Sequence, residues 1–259
     1  LIPDVPVYQP VKASDPDFYP ELKQYDADLF VVVAYGEIIK EELLNMPKLG
    51  CINVHASLLP KYRGAAPIQW CLINGEIETG VTIMHMAKKM DAGDIIRQIK
   101  VRIPQNMTAG ELHDLLLEEG KKVLYQVITE FEKGKVKAFP QDHEQATFSP
   151  KVELEDCEVD WSRPAYELHN LIRGVTPIPG AWCRVELKGK QKRMKILQSR
   201  VVMGYSDEPG KLLMFGKEGM IVSCGDESLR IIQLQIEGKK PVSAEEFANA
   251  IAIDDIRLK

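Results

Sequence analysis

Leu29-Phe30-Val31-Val32-Val33-Ala34 is the stretch that most restricts the fold. It is a continuous apolar run rich in β-branched residues, which suits a strand buried on both faces of a parallel sheet. Tyr35-Gly36 ends it, and Ile38 to Met46 reads as a helix. A second short strand runs through Val54, followed by an expected helix from Pro67 to Asn74. Gly80–Met86 and Asp94–Ile103 read as further strands. Thr108 opens a long helix, with Glu111 three residues later in the capping-box pattern. Its apolar positions Leu112, Leu115, Leu116, Val123, Leu124 and Val127 keep helical spacing, and it is expected to end near Gly134. Strands alternating with helices predict an α/β domain with a mainly parallel sheet. Upstream, Ile2 to Pro10 reads as a proline-bounded edge strand and Asp15 to Tyr25 as a short helix.

The second half has a different rhythm. Lys135 to Lys151 is polar, with Pro140, Gln141 and Asp142, and reads as a linker between domains at 1–134 and 152–259. A helix is expected over Arg163–Arg173. Short strands follow at Ala181–Leu187, Met194–Val202, Leu212–Phe215, Met220–Ser223 and Leu229–Gln235, separated by glycines. That spacing predicts a small barrel or sandwich. Ser243 and Glu246 open a last helix in a second capping box.

Composition narrows the classes. A chain of 259 residues with 45% apolar content can bury sizeable cores. No stretch of about twenty apolar residues is present, so no transmembrane helix is expected, and no secretory signal is expected before the first domain. The five cysteines have no Cys-x-x-Cys pair or zinc spacing, and His85, His113, His143 and His169 show no ligand spacing. Free buried thiols in a reducing compartment and no bound metal are expected.

The chemistry concentrates in Cys51-Ile52-Asn53-Val54-His55-Ala56-Ser57-Leu58-Leu59-Pro60-Lys61-Tyr62-Arg63-Gly64. Asn53 and His55 are two residues apart on a strand, so their side chains project from one face. An amide and an imidazole then sit at a strand's carboxyl end, where open α/β sheets place ligands. A lone core His would more often be satisfied by a neighbour. The amide beside it and the Ser-Leu-Leu-Pro loop after it argue for a site.

Asn53-x-His55 with Ser57-Leu58-Leu59-Pro60 and Gly64 resembles the signature of formyltransferases that use 10-formyltetrahydrofolate. Gly64-Ala65-Ala66-Pro67-Ile68-Gln69 is similar to the methionyl-tRNA branch of that family. The likeness continues through Gly80-Val81-Thr82-Ile83-Met84 and Met90-Asp91-Ala92-Gly93-Asp94, and returns at Ile172-Arg173 and Pro177-x-Pro179. It implies a Rossmann-like catalytic domain followed by an OB-like β-barrel that binds tRNA. It also implies two earlier strands before this segment, roughly a fifth of an ordinary N-terminal domain, without which Leu29–Ala34 would present an apolar edge.

The resemblance implies transfer of a formyl group from 10-formyltetrahydrofolate to the amino group of initiator methionyl-tRNA. Such acyl transfer needs an oxyanion donor and a proton handler. Asn53 suits the first and His55 the second, while Asp91 matches the family's catalytic aspartate and can orient His55. As residues alone, Asp91 would equally suit an Asp-x-Gly turn, and Asp94 is the competing carboxylate. The resemblance sets Ser57, Leu58, Leu59 and Pro60 against the folate, with Ala34, Tyr35, Gly36 and Ile38 lining its pterin pocket. Lys188, Lys190, Lys192, Arg193 and Lys195 form a basic cluster around Gly189. It reads either as a solvated edge or as tRNA phosphate contacts. Lys133, Lys135 and Lys137 are further candidates of the same kind. The expected setting is a monomer in the cytoplasm, in a bacterial cytosol or an organelle matrix. The alternatives are hydrolysis of 10-formyltetrahydrofolate, whose related enzyme continues into a dehydrogenase domain, and a non-catalytic tRNA-binding protein. Formyltransferases acting on glycinamide ribonucleotide lack the second domain.

Overall fold

A computed structural model describes residues 5–216 and 219–258. The chain divides into two compact units, each assembled from three segments. The first comprises residues up to Ala65, Gly80–Lys100 and Glu119–Phe148. The second comprises Ala66–Thr79, Val101–Glu118 and the chain from Ser149 onward.

The first unit is built on a four-stranded sheet in the order β1 (Phe30–Val33), β2 (Cys51–His55), β3 (Glu78–His85), β4 (Ile95–Arg102). β1 and β2 are parallel, with Val33 opposite Val54. β2 and β3 are antiparallel, with His55 opposite Thr82. The sheet is therefore mixed, not mainly parallel. The connection from β3 to β4 is too short for the crossover that a parallel pair requires, and His85 N donates to Asp94 O across it at 2.9 Å.

β1 stands at the edge of the described sheet and presents the kind of apolar edge anticipated for Leu29–Ala34; its burial alternates, with Val31 and Val33 40% and 53% exposed, so it is not covered on both faces as its composition suggests. The edge strand expected over Ile2–Pro10 is absent where the structure describes it, since residues 5–10 are irregular; residues 1–4 lie outside the described residues. Asp15 caps a 3₁₀ turn at Pro16–Phe18 that leads into α1 (Tyr19–Lys23), as the composition suggested. α2 spans only Glu41–Leu44. It has no side-chain cap at Lys40, and Pro47 disfavours helical geometry at Met46.

A 24-residue helix, α4 (Ala109–Glu132), begins at the expected capping box. Glu111 Oε2 accepts from Thr108 N at 2.8 Å and Glu111 N donates back to Thr108 Oγ1 at 3.3 Å. The first unit's core takes Val123 and Val127 from this helix, and Ile52, Val81, Ile83 and Met84 from the sheet. Gly80 is required where it stands, because a Cβ there would collide with the Ile99 carbonyl.

The second unit holds a seven-stranded antiparallel, barrel-like sheet. Its path is β11 (Ile256–Leu258), β5 (Ala181–Leu187), β6 (Lys190–Val202), β9 (Ser228–Ile236), β8 (Gly219–Ser223), β7 (Leu212–Gly216), with β10 (Val242–Ser243) added to β9. β6 carries a bulge around Leu197, a device that bends a strand. Trp161, Leu168, Leu171, Met194, Ile196, Met220, Ile231 and Leu234 belong to its core. Two helices, α3 (Pro67–Ile73) and α5 (Ala165–Gly174), pack closely: Gly174 has no room for a Cβ beside Ile73. α6 (Ala244–Ala250) starts at the second capping box, with both reciprocal bonds formed between Ser243 and Glu246.

Candidate active site

β2 ends at His55, and the following loop folds back over it. His55 Nε2 lies 2.9 Å from the Tyr62 carbonyl. A carbonyl only accepts, so Nε2 carries the proton and donates. The other ring nitrogen, Nδ1, faces Asp91 Oδ2 at 3.7 Å, with His55 6% and Asp91 13% exposed. That gap is longer than a direct hydrogen bond. The Asp91 carboxylate is itself aimed, since Gly64 N donates to Oδ2 at 2.8 Å. Asn53 shares the His55 face of β2, is half-buried, and makes no side-chain hydrogen bond among the described residues. Its amide is therefore free to meet a ligand. Asp94 stays in the backbone pairing between β3 and β4.

Three non-glycine residues here hold left-handed backbone: Ala34 (φ 49°), Tyr62 (φ 60°) and Asp91 (φ 50°). Such conformations persist only where surrounding contacts impose them, and they cluster at functional sites. Gly93 closes the Asp91 turn, and a Cβ there would collide with the His85 carbonyl.

The Ser57–Pro60 loop is strongly braced. Ser57 is fully buried and its hydroxyl donates to Lys61 O at 2.6 Å. Thr82 ties the loop to β3: its hydroxyl donates to Ser57 O at 2.6 Å and accepts from Leu59 N at 3.2 Å. Gln98 adds a bond to Leu59 O at 2.8 Å. Leu59 is buried, while Leu58 and Pro60 are half-buried. Ala34, Tyr35, Gly36 and Ile38 form an exposed turn after β1. The Val33–Val54 register brings that turn beside His55, at the carboxyl ends of two adjacent parallel strands.

The basic cluster does not form one patch. Along β6, Lys190 and Lys192 share the side of buried Met194, whereas Arg193 and Lys195 face the other way. Arg193 lies over the Trp182 ring at 4.3 Å and directly opposite Arg184 on β5. Lys195 Nζ donates to Pro179 O at 2.7 Å. Lys188 sits in the tight turn beside Gly189, exposed.

The sequence reading missed three groups that brace the site: Arg63, Gln141 and the Tyr62 carbonyl. Arg63 is 1% exposed, and its Nε donates to Gln141 Oε1 at 3.2 Å. No sequence signal marked Arg63 or Gln141, because burial of a polar side chain is not written in its residue type, and a guanidinium enters a core only with partners that lie far along the chain. A cavity of about 510 Å³ in the second unit, lined by Gln105, His169, Arg173 and Arg200 among others, contains none of the candidate catalytic, folate or tRNA residues, although Ile172 and Arg173 of the family likeness line it. The candidate site rests instead on the convergence of Asn53, His55 and Asp91. All five cysteines are free and buried. Burial raises each thiol, that of Cys51 to about 11 and that of Cys183 to about 12, which leaves them protonated and unreactive at neutral pH.

The Formyl transferase family matches residues 3–128, and the Formyl transferase C-terminal domain matches residues 151–252. A methionyl-tRNA formyltransferase of Protochlamydia amoebophila is 53% identical over 98% of this chain and 80% of its own length. One of Clostridioides difficile is 41% identical, over 97% of this chain and 80% of its own. Among solved structures, HypX from Aquifex aeolicus in complex with tetrahydrofolic acid has a TM-score of 0.67 at 19% identity, covering 89% of this chain and 40% of that one. WlaRD, a sugar 3N-formyl transferase solved in the presence of dTDP and 5-N-formyl-THF, has a TM-score of 0.65 at 21% identity, covering 85% and 77%. At those identities the two structures show a shared fold.

Proposed function

Because the chain belongs to the methionyl-tRNA formyltransferase family, we propose that it moves the formyl group of 10-formyltetrahydrofolate onto the amino group of initiator methionyl-tRNA. The amine attacks the formyl carbon, forming a carbon–nitrogen bond and placing negative charge on the formyl oxygen. Asn53 donates its amide N–H to that oxygen. As the tetrahedral intermediate collapses, the bond from the formyl carbon to the folate nitrogen breaks and that nitrogen takes up a proton. His55 carries the proton from the attacking amine to the leaving nitrogen, using Nδ1, because Nε2 is committed to the Tyr62 carbonyl. The ring lies between the Asp91 carboxylate and the Tyr62 carbonyl. Asp91 so orients the ring. The 3.7 Å gap leaves Nδ1 without a direct hydrogen bond to Asp91, open to exchange a proton with substrate.

The donor's place follows from the strand ends. The exposed turn Ala34–Ile38 and the Ser57–Pro60 loop flank the carboxyl ends of β1 and β2, the usual ligand position in such sheets. Tetrahydrofolic acid and 5-N-formyl-THF accompany the two structural neighbours, which supports a folate donor. Lys188, Lys190, Lys192, Arg193 and Lys195 are assigned to tRNA phosphates. The observation that carries the reading is the convergence of Asn53, His55 and Asp91 at the end of β2.

The test is formyl transfer from labelled 10-formyltetrahydrofolate to two acceptors, charged initiator tRNA and water. Label is expected on the methionyl amine, and Asp91→Asn is expected to suppress its appearance. Release of formate with no labelled tRNA would replace this reading by hydrolysis.

A further inference from the structure

Gln141 lies in a polar stretch whose composition suggests a tether, yet its side chain is 6% exposed. Its orientation is settled by its partners. Two carbonyls can only accept, so its NH₂ faces them; a guanidinium can only donate, so its oxygen faces that. Nε2 donates to Asp91 O at 2.9 Å and to Gly93 O at 2.7 Å. Oε1 accepts from both Nε and Nη2 of Arg63. Nη2 of Arg63 also lies 3.0 Å from His143 Nδ1.

Three consecutive residues thereby each hold one part of the site. The Tyr62 carbonyl fixes His55, the Arg63 guanidinium fixes Gln141, and the Gly64 amide fixes the Asp91 carboxylate. Gly64 restrains only the Asp91 side chain. The backbone of Asp91, left-handed at φ 50°, needs a restraint of its own. Gln141 supplies it, on both sides of Ala92. We propose that Gln141 is a positioning residue for formyl transfer, clamping the Asp91–Gly93 turn to Arg63 and so setting the distance between Asp91 and His55. Its consequence for turnover rests on the proposed roles of Asn53, His55 and Asp91; its consequence for the geometry of His55 does not.

The test compares Gln141→Glu and Gln141→Leu with the unaltered chain. Gln141→Glu keeps an acceptor for Arg63 but cannot donate to the two carbonyls, so it releases the turn while preserving the guanidinium's partner. Three quantities are read: kcat and KM for both substrates, the melting midpoint, and the ¹⁵N signals of the His55 ring without substrate. Gln141→Glu is expected to stay folded with a modestly lower melting midpoint, since two buried carbonyls lose their donor, to lose kcat by roughly a hundredfold, as a displaced reactive geometry does, and to leave both KM values unchanged. Its His55 signals are expected to move. A folded Gln141→Glu with normal kcat, or with His55 signals superimposed on those of the unaltered chain, overturns the proposal. Loss of folding in both variants also overturns it, by making Gln141 structural. If the unaltered chain fails to formylate charged tRNA, the functional reading falls, and the His55 spectrum alone decides the clamp.

Discussion

At the scale of single residues, the proposed site divides between groups assigned to meet substrate and groups that hold them. Asn53 has no partner among the described residues and projects with His55 from β2, so its removal disturbs little of the fold. Asn53→Ala is expected to lower kcat by roughly a hundredfold or more, the usual loss for an oxyanion donor, with KM for tRNA little altered. Steady-state kinetics check this; a normal kcat would remove Asn53 from the chemistry. Much of this pairing was legible from sequence. Asn53 and His55 declare themselves by period-two spacing. Asp91 needed the family motif, because alone it reads as a turn residue. Arg63 and Gln141 were not legible: their partners stand 78 positions apart in the chain, and a polar side chain that is buried looks in sequence like one that is solvated.

At the scale of elements, local signals were read well where they are self-contained. The Thr108–Glu111 and Ser243–Glu246 boxes both form, since every partner lies within one helical turn. Thr108→Ala is expected to destabilise the chain by about 1 kcal/mol, seen as a lower denaturation midpoint. Strand direction was harder. A βαβ-like alternation suggested parallel pairing, but residue patterning alone does not encode whether β3 returns beside β2 in the same or the opposite sense. α5 offers a pH test. His169 is buried, its Nδ1 is 3.0 Å from Ser199 Oγ on β6, and desolvation is the main cause holding its pKa below the ordinary histidine value. The unfolded chain therefore takes up this proton first as pH falls. Stability from the neutral ring is complete above the unfolded value of about 6.5 and is lost as pH drops through it toward the folded value. Melting midpoints measured between about pH 7.5 and pH 5 should fall further for the unaltered chain than for His169→Gln. His85, whose pKa is also lowered by burial, is present in both and cancels. Equal losses would show that His169 does not titrate across unfolding.

At the scale of the whole molecule, the basic strand and β2, proposed to carry Asn53 and His55 into the chemistry, should fail differently when altered. Neutralising Lys188, Lys190, Lys192, Arg193 and Lys195 is expected to raise KM for tRNA and flatten its dependence on salt, with kcat preserved. Kinetics at two salt concentrations measure it, and an unchanged salt slope would leave the cluster as a solvated edge. The interleaving of the two units bears on how the chain is made. Residues Ala66–Thr79 belong to the second unit, and their helix α3 packs on α5, which starts about ninety residues later, at Ala165. A ribosome delivers residues in order, at roughly 5–20 each second. For several seconds, then, Cys71 and Leu72, both fully buried in the finished fold, have emerged before their cover exists. The first unit's last segment ends at Phe148, so that unit can close while Ala66–Thr79 and Val101–Glu118 still wait for the chain from Ser149 onward. Until then the growing chain carries apolar segments whose cover has yet to be made.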